Sequence, residues 1–162
     1  MIRTFLIVVS LLLIFSKTTH GTEGHRKVAF IVVHHSDTLS GNVEVFRKYH
    51  VNVRGWSDIG YHFVITNGTG VDGEIQRGRP IDKMGAHAKG RNRGSVGICL
   101  VGKTRFTEKQ MDKLVLLITE MCQKYDIIPS EKTVQRHHEH CPGETLDLSI
   151  IIEKVKKALK KS

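Results

Sequence analysis

Two continuous apolar runs, Val28–Val33 (VAFIVV) and Val96–Val101 (VGICLV), constrain this chain most. Both are rich in β-branched residues and show no polar alternation. A strand with one wet face alternates polar and apolar side chains, so these runs read as strands buried on both faces. The covering helices are legible too. Thr107 and Gln110 have capping-box spacing, and Met111, Leu114, Val115, Ile118, Met121, Cys122 and Tyr125 then follow one helical stripe. Leu148, Ile151, Ile152, Val155 and Leu159 repeat that spacing in a final helix. A shorter helix is predicted from near Asn42 to about His50. Between the two runs, Tyr61–Thr66 alternates, Asn67-Gly68 offers a hairpin turn, and Val71–Gln76 follows. One more short strand is predicted at Thr133–Gln135, with a loop after it. Strands interleaved with helices predict an α/β fold: a single domain with a central mixed β-sheet flanked by helices. A chain of 162 residues holds such a core without disulfide staples.

The amino terminus stands apart from that domain. Arg3 precedes the apolar run Phe5–Phe15, and the polar stretch Lys17, Thr18, Thr19, His20, Gly21 follows. This is the order of a secretory signal, and the run falls short of the ~20 apolar residues that span a bilayer. Residues 1–21 are therefore predicted to be a signal peptide and 22–162 the working domain, secreted or periplasmic. Losing Arg3 and Lys17 lowers the net charge from +9 to +7, still basic. Outside the cytoplasm such a charge suits an anionic polymer surface rather than nucleic acid. Lys154, Lys156, Lys157, Lys160 and Lys161 crowd the carboxyl end, where they also complement a helix dipole. A monomer is the default expectation.

Histidine is the unusual residue. The chain has 10, and they cluster: His34-His35 after the first buried run, and His137-His138-Glu139-His140-Cys141 late in the chain. Imidazole and thiolate are the preferred zinc donors, and a catalytic zinc keeps three protein ligands. Spacing alone does not select the ligands. Pro142 biases Cys141 away from helical dihedrals, which places the second cluster on a loop. Cys99 and Cys122 read as small buried hydrophobes, with a disulfide between them permitted in an oxidising compartment. Cys141 is the odd one, and metal ligation would keep it reduced.

Four segments, IVVHHSDT (31–38), GWSDIGYHFVI (55–65), GAHAKGRNRGSVGICLVG (85–102) and RHHEHCPG (136–143), occur in order across residues 28–150. Together they resemble the type 2 N-acetylmuramoyl-L-alanine amidases, a family that includes phage amidases and animal peptidoglycan recognition proteins. The resemblance implies a zinc ion held by His34, His137 and Cys141, with His35 not a ligand. It implies that Tyr61 stands beside the water on the metal. It also implies that His87 and Asn92 line the substrate groove. One departure is plain: the loop between the late histidine and the cysteine is shorter here than in the phage enzymes. Glu139 stands where they carry a lysine or threonine. His140 is the predicted replacement for that missing oxyanion donor.

The activity implied is zinc-dependent hydrolysis of the amide between N-acetylmuramic acid and L-alanine, with peptidoglycan or muropeptides as partners. The alternative is a non-catalytic peptidoglycan-binding protein, which retention of Cys141 disfavours. A basic nucleic-acid-binding domain would leave both histidine clusters unexplained. Trp56 reads as a packing residue or a sugar platform, Asp58 as a brace for the loop before Tyr61, and Gly85, Gly90, Gly94 and Gly97 as turn and close-approach glycines.

Overall fold

The two apolar runs become adjacent strands in the interior of a five-stranded sheet. The structure is a computed structural model describing residues 26–161; the signal read at 1–21 lies outside the described residues. In chain order the elements are β1 (Phe30–His35), α1 (Val43–Asn52), β2 (Phe63–Ile65), β3 (Ile75–Arg77), β4 (Ser95–Leu100), α2 (Glu108–Tyr125), β5 (Val134–Arg136) and α3 (Leu148–Leu159). The sheet order is β3-β2-β4-β1-β5. β1 pairs in parallel with both β4 and β5, and β2 with β4, while β3 runs antiparallel to β2. The sheet is therefore mixed, in a single α/β domain.

Side-chain alternation sends successive strand residues to opposite faces. Ile31, Val33, Phe63, Ile65, Val96, Ile98 and Leu100 pack with α2 and α3 in the larger core. Val64, Cys99 and Val101 pack with Val43 and Phe46 of α1 and with Ile59 on the other face. This separates Cys99 from Cys122, which belongs to the larger core. All three cysteines are free thiols.

The helix ends follow the local chemistry. At α2 the Thr107 side chain accepts from the Gln110 N–H, and the Gln110 side chain accepts in return from the Thr107 N–H. Asn42 caps α1 by accepting from the Val45 N–H, and Asp147 caps α3 by accepting from the Ser149 N–H. The β2–β3 hairpin departs from expectation. Ile65 pairs with Ile75, so residues 66–74 form the connection and the second strand begins at Ile75 rather than Val71. The Asn67 side chain is engaged elsewhere, donating to the Leu39 carbonyl and accepting from the Thr69 N–H and hydroxyl. Asn67 also opens a turn, its carbonyl accepting from the Gly70 N–H, but that turn lies inside a wider loop instead of joining the strands directly.

Candidate active site and metal centre

The parallel register is the first device that builds the site. Val33 lies opposite Arg136, and the His137 N–H donates to the Val33 carbonyl. The next residues, His34 and His137, are thereby brought side by side, with ring centroids 4.4 Å apart. Val33 enters the larger core, so its neighbour His34 turns to the face carrying α1 and Tyr61. A tight turn supplies the third group: His138 and Cys141 exchange backbone hydrogen bonds of 3.2 and 3.1 Å, folding the thiol back toward the strands. One donor atom each from His34, His137 and Cys141 then lie within 4.8 Å of one another. Two imidazoles and a thiol from two chain segments, the end of β1 and the turn after β5, form a donor set that suits zinc, and this geometry fits one ion.

Burial tunes these groups. His34 is held well below the ordinary histidine value by desolvation, reinforced by His87 and His137. His137 is lowered by partial burial and then by His138 and Arg91. Both imidazoles therefore keep lone pairs at neutral pH. Burial pushes the Cys141 thiol up, opposed by the His35 N–H, which donates to its sulfur at 3.4 Å. The His35 Nδ1 also lies 3.2 Å from that sulfur. His35 thus supports the thiol, a contact that the pairing in sequence does not reveal.

The three groups line an open cleft of about 640 Å³, together with Tyr61, His87, His140, Trp56, Arg54 and Lys103. Tyr61 packs against His34 with ring centroids 5.2 Å apart. Desolvation holds the Tyr61 hydroxyl well above its usual value, assisted by Cys99 and Cys141, so it stays protonated as a donor. Trp56 stacks on His50 at 4.6 Å, and the Arg54 guanidinium lies 5.6 Å from its ring centroid. Asp58 braces the approach to Tyr61, accepting from the Ile59 N–H and from Arg47.

His87 and Asn92 occupy positions that motif reading does not distinguish. His87 reaches the cleft but is buried, with Nδ1 3.0 Å from His34 Nε2. Desolvation, reinforced by His62, lowers it to about 3. Asn92 is not among the cleft-lining residues; its side-chain oxygen accepts from the N–H groups of His87 and Ala88 and fixes their loop. Arg91 of the same loop donates to the Arg136 and His137 carbonyls. One loop therefore braces both imidazoles. His140 is exposed at the cleft mouth, its Nδ1 3.4 Å from a Glu144 carboxylate oxygen.

The family model described as N-acetylmuramoyl-L-alanine amidase matches residues 24–144, most of the chain. The chain belongs to this amidase family. Among its relatives, the endolysin of Escherichia phage T7 is 38% identical over 123 residues, covering 69% of this chain and 76% of the relative. Peptidoglycan-recognition protein LB of Drosophila melanogaster is 35% identical over 130 residues, covering 70% and 54%. The solved structure of the N-acetylmuramoyl-L-alanine amidase LysC from Clostridium intestinale URNW superimposes with a TM-score of 0.72 at 32% identity, covering 82% of this chain and 87% of that one. The family membership agrees with the observed mixed-sheet architecture. Residues of all four segments line the cleft beyond the ends of β1 and β5, among them His34, Tyr61, His87 and Cys141.

Proposed function

We propose that the chain is a zinc amidase that hydrolyses the bond between N-acetylmuramic acid and L-alanine in peptidoglycan. The observation that carries this reading is the convergence of His34, His137 and Cys141 within 4.8 Å at a cleft that Tyr61 also lines. His34, His137 and Cys141 would hold the zinc, which would supply a Lewis acid for the scissile carbonyl and bring the pKa of a water toward ~7. The protein's own groups do the rest. The protonated Tyr61 hydroxyl orients the attacking water by hydrogen bonding. The oxyanion that develops on the carbonyl needs a second donor, and His140 at the cleft mouth is assigned that role. The cleft admits the stem peptide, and Arg54 and Lys103 on its lining complement stem carboxylates.

Export through the amino-terminal signal would deliver the enzyme to the wall, and amino-terminal sequencing of secreted protein checks that step. No helix among the described residues is long and apolar enough to cross a membrane. The deciding experiment incubates residues 22–162 with sacculi, with and without a zinc chelator. Mass spectrometry then looks for stem peptides with a free L-alanine amino group. Their appearance, abolished by chelation and restored by zinc, supports reaction and metal together. Retention on sacculi without such peptides would instead identify a binding protein.

A further inference from the structure

The hydrogen-bond chain behind His34 has only one consistent arrangement of protons. It begins at Ser95, fully buried at the start of β4. The Ser95 hydroxyl oxygen lies 2.5 Å from the Arg91 carbonyl oxygen and 3.3 Å from that of Asn92. A carbonyl only accepts, so the single serine proton points there. The same oxygen is 3.3 Å from His87 Nε2 and has only lone pairs left to offer. His87 Nε2 must therefore carry a hydrogen and donate to it. A neutral imidazole holds one proton, which leaves His87 Nδ1 as an acceptor. That atom faces His34 Nε2 at 3.0 Å, so His34 carries its hydrogen on Nε2.

We propose that Ser95 and His87 are positioning residues that fix the tautomer of His34, so that Nδ1 is the atom His34 offers to the metal. This rests on the reading of His34 as a zinc ligand. The opposite arrangement would set lone pair against lone pair between His87 and Ser95. It would also put the hydrogen on His34 Nδ1, the ring nitrogen that the contact with His87 does not engage. A doubly protonated His87 is disfavoured by its surroundings, because the ring is buried and the groups set against it, His34, His62 and Ser95, include no carboxylate among the described residues.

The site is shaped around this ring. A Cβ on Gly85 would lie 2.4 Å from a carbon of the His87 ring, and one on Gly97 would lie 2.5 Å from it. Only glycine leaves the ring that slot. Asn92 holds the His87 main chain at the same time, through its bonds to the His87 and Ala88 N–H groups. Ring position and ring protonation are thus set by separate groups. Partners behind metal-bound imidazoles are usually carboxylates or carbonyls; here the partner is a second imidazole whose own tautomer is dictated by a serine.

The test is nitrogen-15 NMR of histidine-labelled protein, which distinguishes a protonated ring nitrogen from a bare one, measured without metal and after adding zinc. The expected result is that His34 and His87 both carry hydrogen on Nε2 in the metal-free protein, and that zinc perturbs His34 at Nδ1. A metal-free His34 protonated on Nδ1, or zinc bound through Nε2, would overturn the proposal while leaving zinc ligation intact. If zinc leaves His34 Nδ1 unmoved although Nε2 carries the hydrogen, the ligand assignment fails, and with it the claim that this nitrogen serves a metal. Ser95→Ala removes the acceptor without adding bulk. It is expected to mix the His34 tautomers and weaken zinc about 10- to 100-fold, read by chelator competition. Unchanged tautomers and unchanged zinc affinity in that variant would remove Ser95 from the chain.

Discussion

A tyrosine whose hydroxyl is held protonated by burial serves better as a donor than as a base, and that is the part the proposed reaction gives Tyr61. Tyr61→Phe keeps the ring against His34 and deletes only the hydroxyl. The expected outcome is a fall in kcat of about 10²-fold with KM and zinc content nearly unchanged. Steady-state kinetics on a soluble muropeptide, with metal analysis of the same sample, checks it. His140 makes a different case. It carries a carboxylate neighbour, Glu144, and stands at the mouth of the cleft. If it donates to the oxyanion, His140→Ala lowers kcat by about 10²- to 10³-fold. A variant at wild-type turnover would move that role to Lys103, which also lines the cleft. At this scale the sequence exposes residue types and neighbours but not partners. Strand alternation sets His34 against Tyr61 and His137, while His35 meets the Cys141 sulfur instead. The bond from His87 to His34 joins residues 53 positions apart, and nothing in local pattern encodes it.

Secondary-structure elements were legible where a short-range chemical signal marks their ends. The Thr107–Gln110 box starts α2 as its spacing predicts, because both halves of a capping box lie within one turn. The strand predicted at Thr133–Gln135 is found one residue on, at Val134–Arg136, and that register sets His137 beside His34. The β2–β3 hairpin is wider than Asn67-Gly68 suggests: the turn composition does close a local turn, the Gly70 N–H donating to the Asn67 carbonyl, but strand β3 starts only at Ile75. Gln110 shows how a cap becomes a tertiary fastener. Its side-chain nitrogen donates to the carbonyls of Ile65 and Val101, tying the start of α2 to the ends of β2 and β4. Gln110→Leu keeps the volume and leaves the Thr107 N–H and two carbonyls without their partner. The expected loss is about 2 to 3 kcal/mol in urea unfolding, because buried polar groups left unpaired cost roughly 1–3 kcal/mol each and partial relaxation recovers some of it. A loss below 0.5 kcal/mol would mean that water replaces the fastener.

Across the whole molecule, the same burial that readies His34 makes the fold sensitive to acid. His62, beneath the site, donates from Nε2 to the Lys83 carbonyl and accepts at Nδ1 from the Gly97 N–H. Desolvation lowers His62 to about 4 and His87 to about 3, and holds His34 well below 6.5. In the unfolded chain each returns to about 6.5. Between those values the unfolded state binds more protons, so stability rises with pH. The contribution is fully present above the unfolded value of about 6.5 and is lost progressively as pH falls toward 4 and then 3. For His62 alone the loss is on the order of 3 kcal/mol, since one pKa unit corresponds to about 1.4 kcal/mol. Urea unfolding of metal-free protein at pH 7.5, 6 and 4.5 is expected to show a steep decline across that window. His62→Gln provides the control: it lowers stability at pH 7.5 yet flattens the decline, because one of the titrating rings is gone. A parallel shift of the whole curve, with its slope unchanged, would place the acid sensitivity outside this histidine stack. Under the proposed ligand set, zinc would compete with protons for the lone pairs of His34 and His137, so adding zinc is expected to steepen the acid limb while raising stability at neutral pH.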